Sequence, residues 1–472
     1  MVLKSINPYN NRLIEEFNEF TDNEIDNCIG LSEKAFEKWR GTTFKYRKSL
    51  MLNVAEQLEG EKEALARTIC NEMGKTIREA RAEIEKCSWV CKYYADDAEI
   101  MLQEEAVATD AYMAYVRYDP IGTVLGIMPW NYPFWQVFRF IAPTLMAGNA
   151  VLLKHASNVQ LCARAIENLF DKAGFPAGVF QNLVIGSEKV KKVISHHIIK
   201  AVTLTGSEPA GSKVAEQAGR LIKKTVLELG GSNAFIVLDD ADLDKAVETG
   251  VRARMQNAGQ SCIAAKRFIL HKKISDQFTQ LFKEKIDSLS LGNPLEEQTD
   301  MGPLSGIQQA QVVKLQVEKS LKNGAKMITG GFPEKALYPP TLLLDVKPGM
   351  PVFDEEVFGP VAPVIICSDA EEAVRLANQT SYGLGVSLFT NDLERAEKLV
   401  TEFDDGAVFI NALVKSDPRL PFGGTKHSGY GRELAVNGIQ EFVNVRTVYI
   451  NKFHNKRPPD HKNIVISTGN PS

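Results

Sequence analysis

From about residue 122 onward, short runs of β-forming apolar residues alternate with stretches of helical periodicity, which narrows the possible folds to a few. Residues 123–128 read as a buried strand ending in a turn, and 149–154 and 201–205 read the same way. A helix at 161–173, stopped by Gly174, fits between the latter two. This rhythm predicts βαβ units around a parallel sheet. Such sheets bind ligands beyond the carboxyl ends of their strands. Asn131, Lys154 and Gly206 all lie just past such ends. A second α/β segment spans about 229–427, with strands expected at 234–238, 266–270 and 361–366.

The preceding part is different. In 23–104, Ile29, Ala35, Phe36 and Trp39 recur at helical intervals, and Gly60 and Gly74 break the stretch into several helices. Residues 111–118 alternate and are rich in β-formers. A chain of 472 residues exceeds one core and predicts two or three domains. The net charge of −4 gives no attraction for nucleic acid or an anionic membrane. No apolar run reaches the roughly 18 residues of a membrane span, and 1–8 lack a secretory core. Seven irregularly spaced cysteines argue for a reducing, cytoplasmic setting. Cys87 and Cys91, one helical turn apart, read as packing residues. Metal chemistry is not expected, because no His-Glu-x-x-His or Cys-x-x-Cys cluster exists and His196-His197 is adjacent.

Two motifs carry chemistry. Asn257-Ala258-Gly259-Gln260-Ser261-Cys262 places a cysteine after a glycine turn, and Glu228-Leu229-Gly230-Gly231 lies upstream. A thiolate is a strong nucleophile, and a buried glutamate can act as a base near neutral pH. The alternatives are a packing thiol and a solvated carboxylate. Residues 206–213 place glycines after a strand and open a helix, where amides can face a pyrophosphate. That segment fails both the GxxxxGK[ST] and GxGxxG patterns, and Ser207 could simply cap the helix.

With Met128-Pro129-Trp130-Asn131-Tyr132-Pro133, Leu153-Lys154-His155-Ala156-Ser157, Leu204-Thr205-Gly206-Ser207, Glu356-Val357-Phe358-Gly359-Pro360 and Pro421-Phe422-Gly423-Gly424, these motifs run in one order along the chain. In that order the chain resembles the aldehyde dehydrogenase superfamily, and is most similar to a bacterial succinate-semialdehyde dehydrogenase subgroup. The resemblance implies an α/β fold of two Rossmann-like parallel-sheet domains plus a small β oligomerisation arm. On that reading 1–106 and 120–228 bind the dinucleotide, and 229–427 form the catalytic domain. Residues 107–119 and 428–452 form an arm toward a neighbouring subunit, in a homodimer or homotetramer, and 453–472 are a tail.

The resemblance further implies that Cys262 attacks an aldehyde, Asn131 stabilises the oxyanion, and Glu228 activates the hydrolytic water. Asn131 could instead be a turn residue before Tyr132-Pro133. A base at 228 distinguishes hydrolytic members from coenzyme A-acylating ones. Trp130, Lys154, Ser157, Gly206, Ser207, Gly211, Leu229, Glu356 and Phe358 are implied cofactor residues. Members often carry glutamate where this chain has Ser157. A hydroxyl there does not repel a 2′-phosphate, so NADP is the expected cofactor, with NAD as the second possibility. Arg139, Trp135 and Ser416 are the expected substrate contacts, Arg139 gripping a distal carboxylate; a structural salt bridge is its alternative role. Some members carry a second arginine where this chain has Gln256. Succinate semialdehyde is therefore the expected substrate, with glutarate semialdehyde or a small aliphatic aldehyde as alternatives. A non-enzymatic nucleotide-binding protein is the rival class.

Overall fold

The computed structural model describes residues 2–452. The tail expected at 453–472 lies outside the described residues. An antiparallel hairpin, Val2–Ile6 with Leu13–Asn18, opens the chain. Four helices follow: α1 (Asp22–Trp39), α2 (Phe44–Gly60), α3 (Lys62–Met73) and α4 (Ile77–Met101). Thr21 and Glu24 form a reciprocal cap on α1, and Thr76 caps α4. Ile77, Ala80, Ile84, Cys87, Cys91 and Tyr94 bury one face of α4, which packs on α2, α3 and α5 (Trp135–Met146). All of α5 is buried, Arg139 included.

The first sheet has six strands in the order Gly429–Tyr430, Lys224–Glu228, Ile199–Thr205, Thr123–Met128, Ala150–His155 and Phe180–Asn182. Its pairings are parallel except where Gly429 meets Glu228. Helices α6 (Gln160–Lys172), α7 (Val190–Ser195) and α8 (Glu208–Arg220) connect its strands. One face packs on the four-helix layer, and Leu125, Leu152, Val202 and Leu227 contribute to a separate core. A second sheet of seven strands runs from Lys326–Thr329 through Thr341–Leu344, Val361–Cys367, Arg267–His271, Ala234–Val237 and Val386–Phe389 to Val408–Ile410. Helix α9 (Leu243–Met255) connects two of its strands.

The chain has the α/β fold expected, with a small antiparallel arm in which Val443–Ile450 pairs with Met113–Pro120 along its full length. One boundary differs from expectation. Residues after 428 do not all belong to the arm, because Gly429–Tyr430 joins the first sheet and Leu229 N–H donates to the Ser428 carbonyl at 2.9 Å. Ala435–Gln440 then packs on α4 and α5. The chain adds an edge strand to the first sheet before it reaches the arm.

Candidate active site

The nucleophile loop begins where α9 ends. Asn257, Ala258 and Gly259 all adopt left-handed backbone, with φ of 54°, 51° and 74°. A residue with a Cβ pays about 1–2 kcal/mol there, so the surroundings must enforce the turn. Asn257 N–H donates to the Glu79 carboxylate at 2.7 Å, and its side-chain amide donates to the Asn131 carbonyl at 2.8 Å. Arg254 donates to the Gly259 carbonyl at 2.7 Å. Gly259 has no room for a Cβ, which would strike the Gly359 carbonyl. Gln260 accepts from Ser305 N–H at 2.8 Å. The pinned loop leaves Cys262 half-buried in the wall of a cavity of about 600 Å³.

Asn131 reaches this loop from the turn after Thr123–Met128. Its Nδ2 donates to the Gln260 carbonyl at 3.1 Å, two residues before the thiol. Burial pushes the Cys262 thiol up to about 11, while the positive charges of Arg139 and Lys266 pull it down. At neutral pH the free thiol therefore dominates, and forming the nucleophile requires a proton acceptor.

Glu228 ends its strand fully buried, and among the described residues neither carboxylate oxygen has a hydrogen-bond partner. Burial first, and then the negative charge of Glu433, hold its carboxyl well above the usual range. Glu433 is itself buried and ion-paired with Arg139. Arg139 also donates to Thr205 Oγ1 at 3.3 Å and lies 4.6 Å from the centre of the Phe422 ring. Arg139, expected to grip a substrate carboxylate, thus has the structural salt bridge that was its alternative role. A guanidinium buried in the apolar body of α5 needs a counter-charge, and Glu433 supplies it.

On the other side of the loop, Glu356 accepts from Gly231 N–H at 3.1 Å and from Lys266 Nζ at 2.5 Å. The same ammonium donates to the carbonyls of Gly231 at 2.7 Å and Cys262 at 3.1 Å. Trp130 and Phe358 meet edge-to-face at 5.7 Å. A second cavity, of about 690 Å³, opens at the ends of Thr123–Met128, Ala150–His155 and Ile199–Thr205 beside the first turn of α8. Lys154, Lys191, Lys213 and Arg220 line it together with Glu188 and Glu216, so basic side chains outnumber acidic ones in its wall.

Ser207 occupies the N-cap position of α8, yet its side chain makes no capping bond. The simple capping role considered for Ser207 is therefore not what its hydroxyl does. A Cβ on Gly211 would collide with Leu229, so the glycine sets how closely α8 approaches buried Leu229. Ser157 sits in the turn after Ala150–His155, outside the cavity's lining residues. A dinucleotide suits this site: α8 opens without a side-chain cap, and basic side chains outnumber acidic ones in the wall.

Trp135, Ser416, Arg139 and Gln256 line the same cavity as Cys262. Ser416 accepts from Trp135 Nε1 at 3.0 Å and from Lys86 Nζ at 2.9 Å. Sequence reasoning missed three charged residues here: Lys86, Lys266 and Glu433. Lys266 carried a usable signal, since with Arg267 it puts charge at the start of an apolar strand four residues after the thiol. Lys86 is flanked by Glu85 and Cys87 within α4 and reads as a surface residue. Nothing local marks Glu433.

The family model for the aldehyde dehydrogenase family matches residues 1–448. The chain belongs to the aldehyde dehydrogenase family. Among its aldehyde dehydrogenase relatives is a probable NADP(+) succinate-semialdehyde dehydrogenase from Synechocystis, 47% identical over 95% of this chain and 100% of that protein. An NADP(+) succinate-semialdehyde dehydrogenase from Mycobacterium tuberculosis is 45% identical over 95% of this chain and 100% of its own length. The Streptococcus pyogenes succinic semialdehyde dehydrogenase, solved with NADP+ as the cofactor, superposes with a TM-score of 0.93. It is 36% identical, covering 95% of this chain and 100% of the other.

Proposed function

We propose that this aldehyde dehydrogenase oxidises succinate semialdehyde to succinate with NADP, NAD serving as a weaker alternative. Glu228 carries the reading: it is buried, has no hydrogen-bond partner among the described residues, has its carboxyl held above the usual range, and lies close enough for its charge to act on the Cys262 thiol. A coenzyme A-acylating enzyme has no use for such a group. The relatives' names support the substrate and the cofactor.

In this mechanism the Cys262 thiolate attacks the aldehyde carbon. The resulting oxyanion takes hydrogen bonds from Asn131 Nδ2 and the Cys262 N–H, each donor worth about 3 kcal/mol of barrier. Hydride leaves the thiohemiacetal carbon and a thioester to Cys262 remains. NADP, when bound, supplies the hydride acceptor. Lys154, Ser157, Gly206, Ser207, Gly211 and Leu229 hold its adenosine and pyrophosphate end, and Trp130, Glu356 and Phe358 its nicotinamide end. Glu228, in its ionised form, then takes a proton from water, the water oxygen bonds to the thioester carbon, and the C–S bond breaks to release acid and thiolate. Trp135 and Ser416 line the substrate's path, and Arg139 adds positive field although its charge is shared with Glu433.

The arm supports a homodimer or homotetramer, since Met113, Val445, Tyr449 and Ile450 are exposed along it. No helix among the described residues is long and apolar enough to cross a membrane. The free state of all seven cysteines fits a cytoplasmic enzyme. Steady-state kinetics on aldehydes with and without a distal carboxylate, each with NADP and NAD, test the proposal. Succinate semialdehyde with NADP should give the highest kcat/KM. A preference for an uncharged aldehyde would overturn the substrate reading.

A further inference from the structure

Within Leu153-Lys154-His155-Ala156-Ser157, His155 is a residue that the proposed chemistry does not use. Lys154 faces the second cavity. His155, the next residue along the strand, lies on the other face of the sheet and is fully buried. It stands where two neighbouring parallel strands stop, since Met128 and His155 form the last pair of their ladder. Beyond that pair each strand runs into its own loop. One loop, 129–133, carries Asn131; the other starts at Ala156 and carries Ser157. The imidazole lies between them.

The ring meets three backbone groups. Nδ1 is 2.9 Å from the Ala156 nitrogen and 3.2 Å from the Met128 carbonyl oxygen. Nε2 is 2.8 Å from the Pro133 carbonyl oxygen. Burial takes the imidazole down to about 4, so at neutral pH the ring carries a single proton. With that proton on Nδ1, the Ala156 N–H would face another donor and a bare Nε2 would face a carbonyl. With it on Nε2, both short contacts become hydrogen bonds: Nε2–H donates to Pro133, and Nδ1 accepts from Ala156. Only the longest contact, to Met128, is then unbonded. The ring is therefore the Nε2–H tautomer, and it gives one bond to each loop through a different atom.

Each loop is anchored again further on. Asn131 Nδ2 donates to the Gln260 carbonyl, and the Asn131 carbonyl accepts from Asn257 Nδ2. Glu83 accepts from the N–H groups of Phe134 and Trp135. Pro133 lies between these anchors, so a donor on its carbonyl fixes where the Asn131 loop sits over the sheet. In the other loop, Val159 N–H and Gln160 Nε2 both donate to the Ala156 carbonyl. We infer that His155 is a positioning residue that holds the oxyanion turn and the cofactor turn in register, each ring nitrogen serving one of them. This role rests on the reading of Asn131 as the oxyanion donor and of 154–157 as a dinucleotide contact.

Asparagine and glutamine each reproduce half of the ring. In His155→Asn the amide oxygen takes the place of Nδ1 and keeps Ala156, while Pro133 loses its donor. In His155→Gln the amide nitrogen takes the place of Nε2 and keeps Pro133, while Ala156 loses its acceptor. Two quantities are measured on the full-length enzyme. One is the single-turnover rate of NADPH formation from succinate semialdehyde at saturating NADP; the other is the affinity for NADPH, from its fluorescence. His155→Asn should slow the single turnover about tenfold, the effect of one lost hydrogen bond, with NADPH affinity within about twofold of wild type. His155→Gln should weaken NADPH about tenfold, with the single-turnover rate within about twofold. General damage to the fold does not produce such a crossed pattern. Equal losses in both readouts, no loss in either, or the reverse pattern would overturn the role. Asn131→Ala and Lys154→Ala test the reading beneath it. If the first slows the single turnover and the second weakens NADPH, but the His155 variants do not cross, only the His155 role falls. If either control has no effect, the site reading has failed and the His155 role falls with it.

Discussion

Around Glu356 each charge has a bonded partner. Lys266 and Gly231 N–H donate to its carboxylate, and the same lysine ties down the carbonyls of Gly231 and Cys262. Around Glu228 the opposite holds: its oxygens are buried and unbonded, its nearest acidic neighbour is Glu433, and the nearby Arg139 is engaged by Glu433. A carboxylate with direct donors is held in place and fixes geometry. A buried carboxylate without donors favours its protonated form and is free to exchange that proton with whatever enters. On the proposed function, the difference separates holding from proton transfer. The first region keeps a shape, and the second keeps a proton in play.

Removing the titratable group from the second region should give the largest effect. Glu228→Gln is expected to slow steady-state turnover by about 10²–10³-fold, the usual contribution of a general base. A burst of about one reduced cofactor per active site should survive in rapid-mixing absorbance, because hydride transfer precedes hydrolysis. Loss of the burst would place Glu228 earlier, as the acceptor of the Cys262 proton, a task the raised thiol also requires.

Breaking the first region should cost less but act on two readouts together. Lys266→Met strips Glu356 of its cation and removes one of the two positive charges that favour the Cys262 thiolate. The kcat/KM for NADP should fall about thirtyfold, as expected for a lost hydrogen bond to a charged group. Alkylation of Cys262 by iodoacetamide at fixed pH should slow in parallel. An unchanged alkylation rate would confine Lys266 to holding Glu356.

How much of this was legible in the sequence follows the same division. The dinucleotide side is built from local order, strand then glycine turn then helix, so Gly206, Ser207, Gly211 and Lys154 could be located by reading along the chain. The glycine turn before Cys262 announced itself through Gly259, but the left-handed backbone of Asn257 and Ala258 did not. The chemistry around Glu228 could not be read, because Arg139, Glu433 and Lys86 come from α5, the segment after the sheet crossing, and α4. Their relation is purely tertiary. Arg139 illustrates the point: its residue type was informative, but its partner, which decides its role, lies almost three hundred residues away.

A third carboxylate, placed where neither regime supports it, sharpens the comparison. Ser157→Glu would set an acidic group in the turn three residues beyond Lys154, a buried lysine whose ammonium burial already disfavours. It should lower the ratio of kcat/KM for NADP over NAD by about tenfold through repulsion of the 2′-phosphate. An unchanged ratio would mean that Ser157 is merely permissive.

The smallest effect is thermodynamic, and its sign follows from the direction of the Glu228 shift. Its folded-state value lies well above the ordinary 4.5, and Glu433 is raised as well. The stabilisation from keeping Glu228 protonated is complete below about 4.5 and is lost as pH rises through the folded-state value. Glutamine mimics the protonated form and cannot ionise. Wild type and Glu228→Gln should therefore melt together near pH 5, and the variant should melt about 1–2 °C higher at pH 9, given the small shift per kcal/mol in a chain of this size. Differential scanning calorimetry of both proteins across that range reads the difference directly. Because Glu433 and Arg139 are present in both, their own titration largely cancels. The same substitution that costs most in rate should thus gain a little in stability, as expected where a buried carboxyl is kept for proton transfer and not for holding the fold. A variant that melts lower at pH 9 would mean that ionised Glu228 is stabilised by its surroundings, and the contrast with Glu356 would disappear.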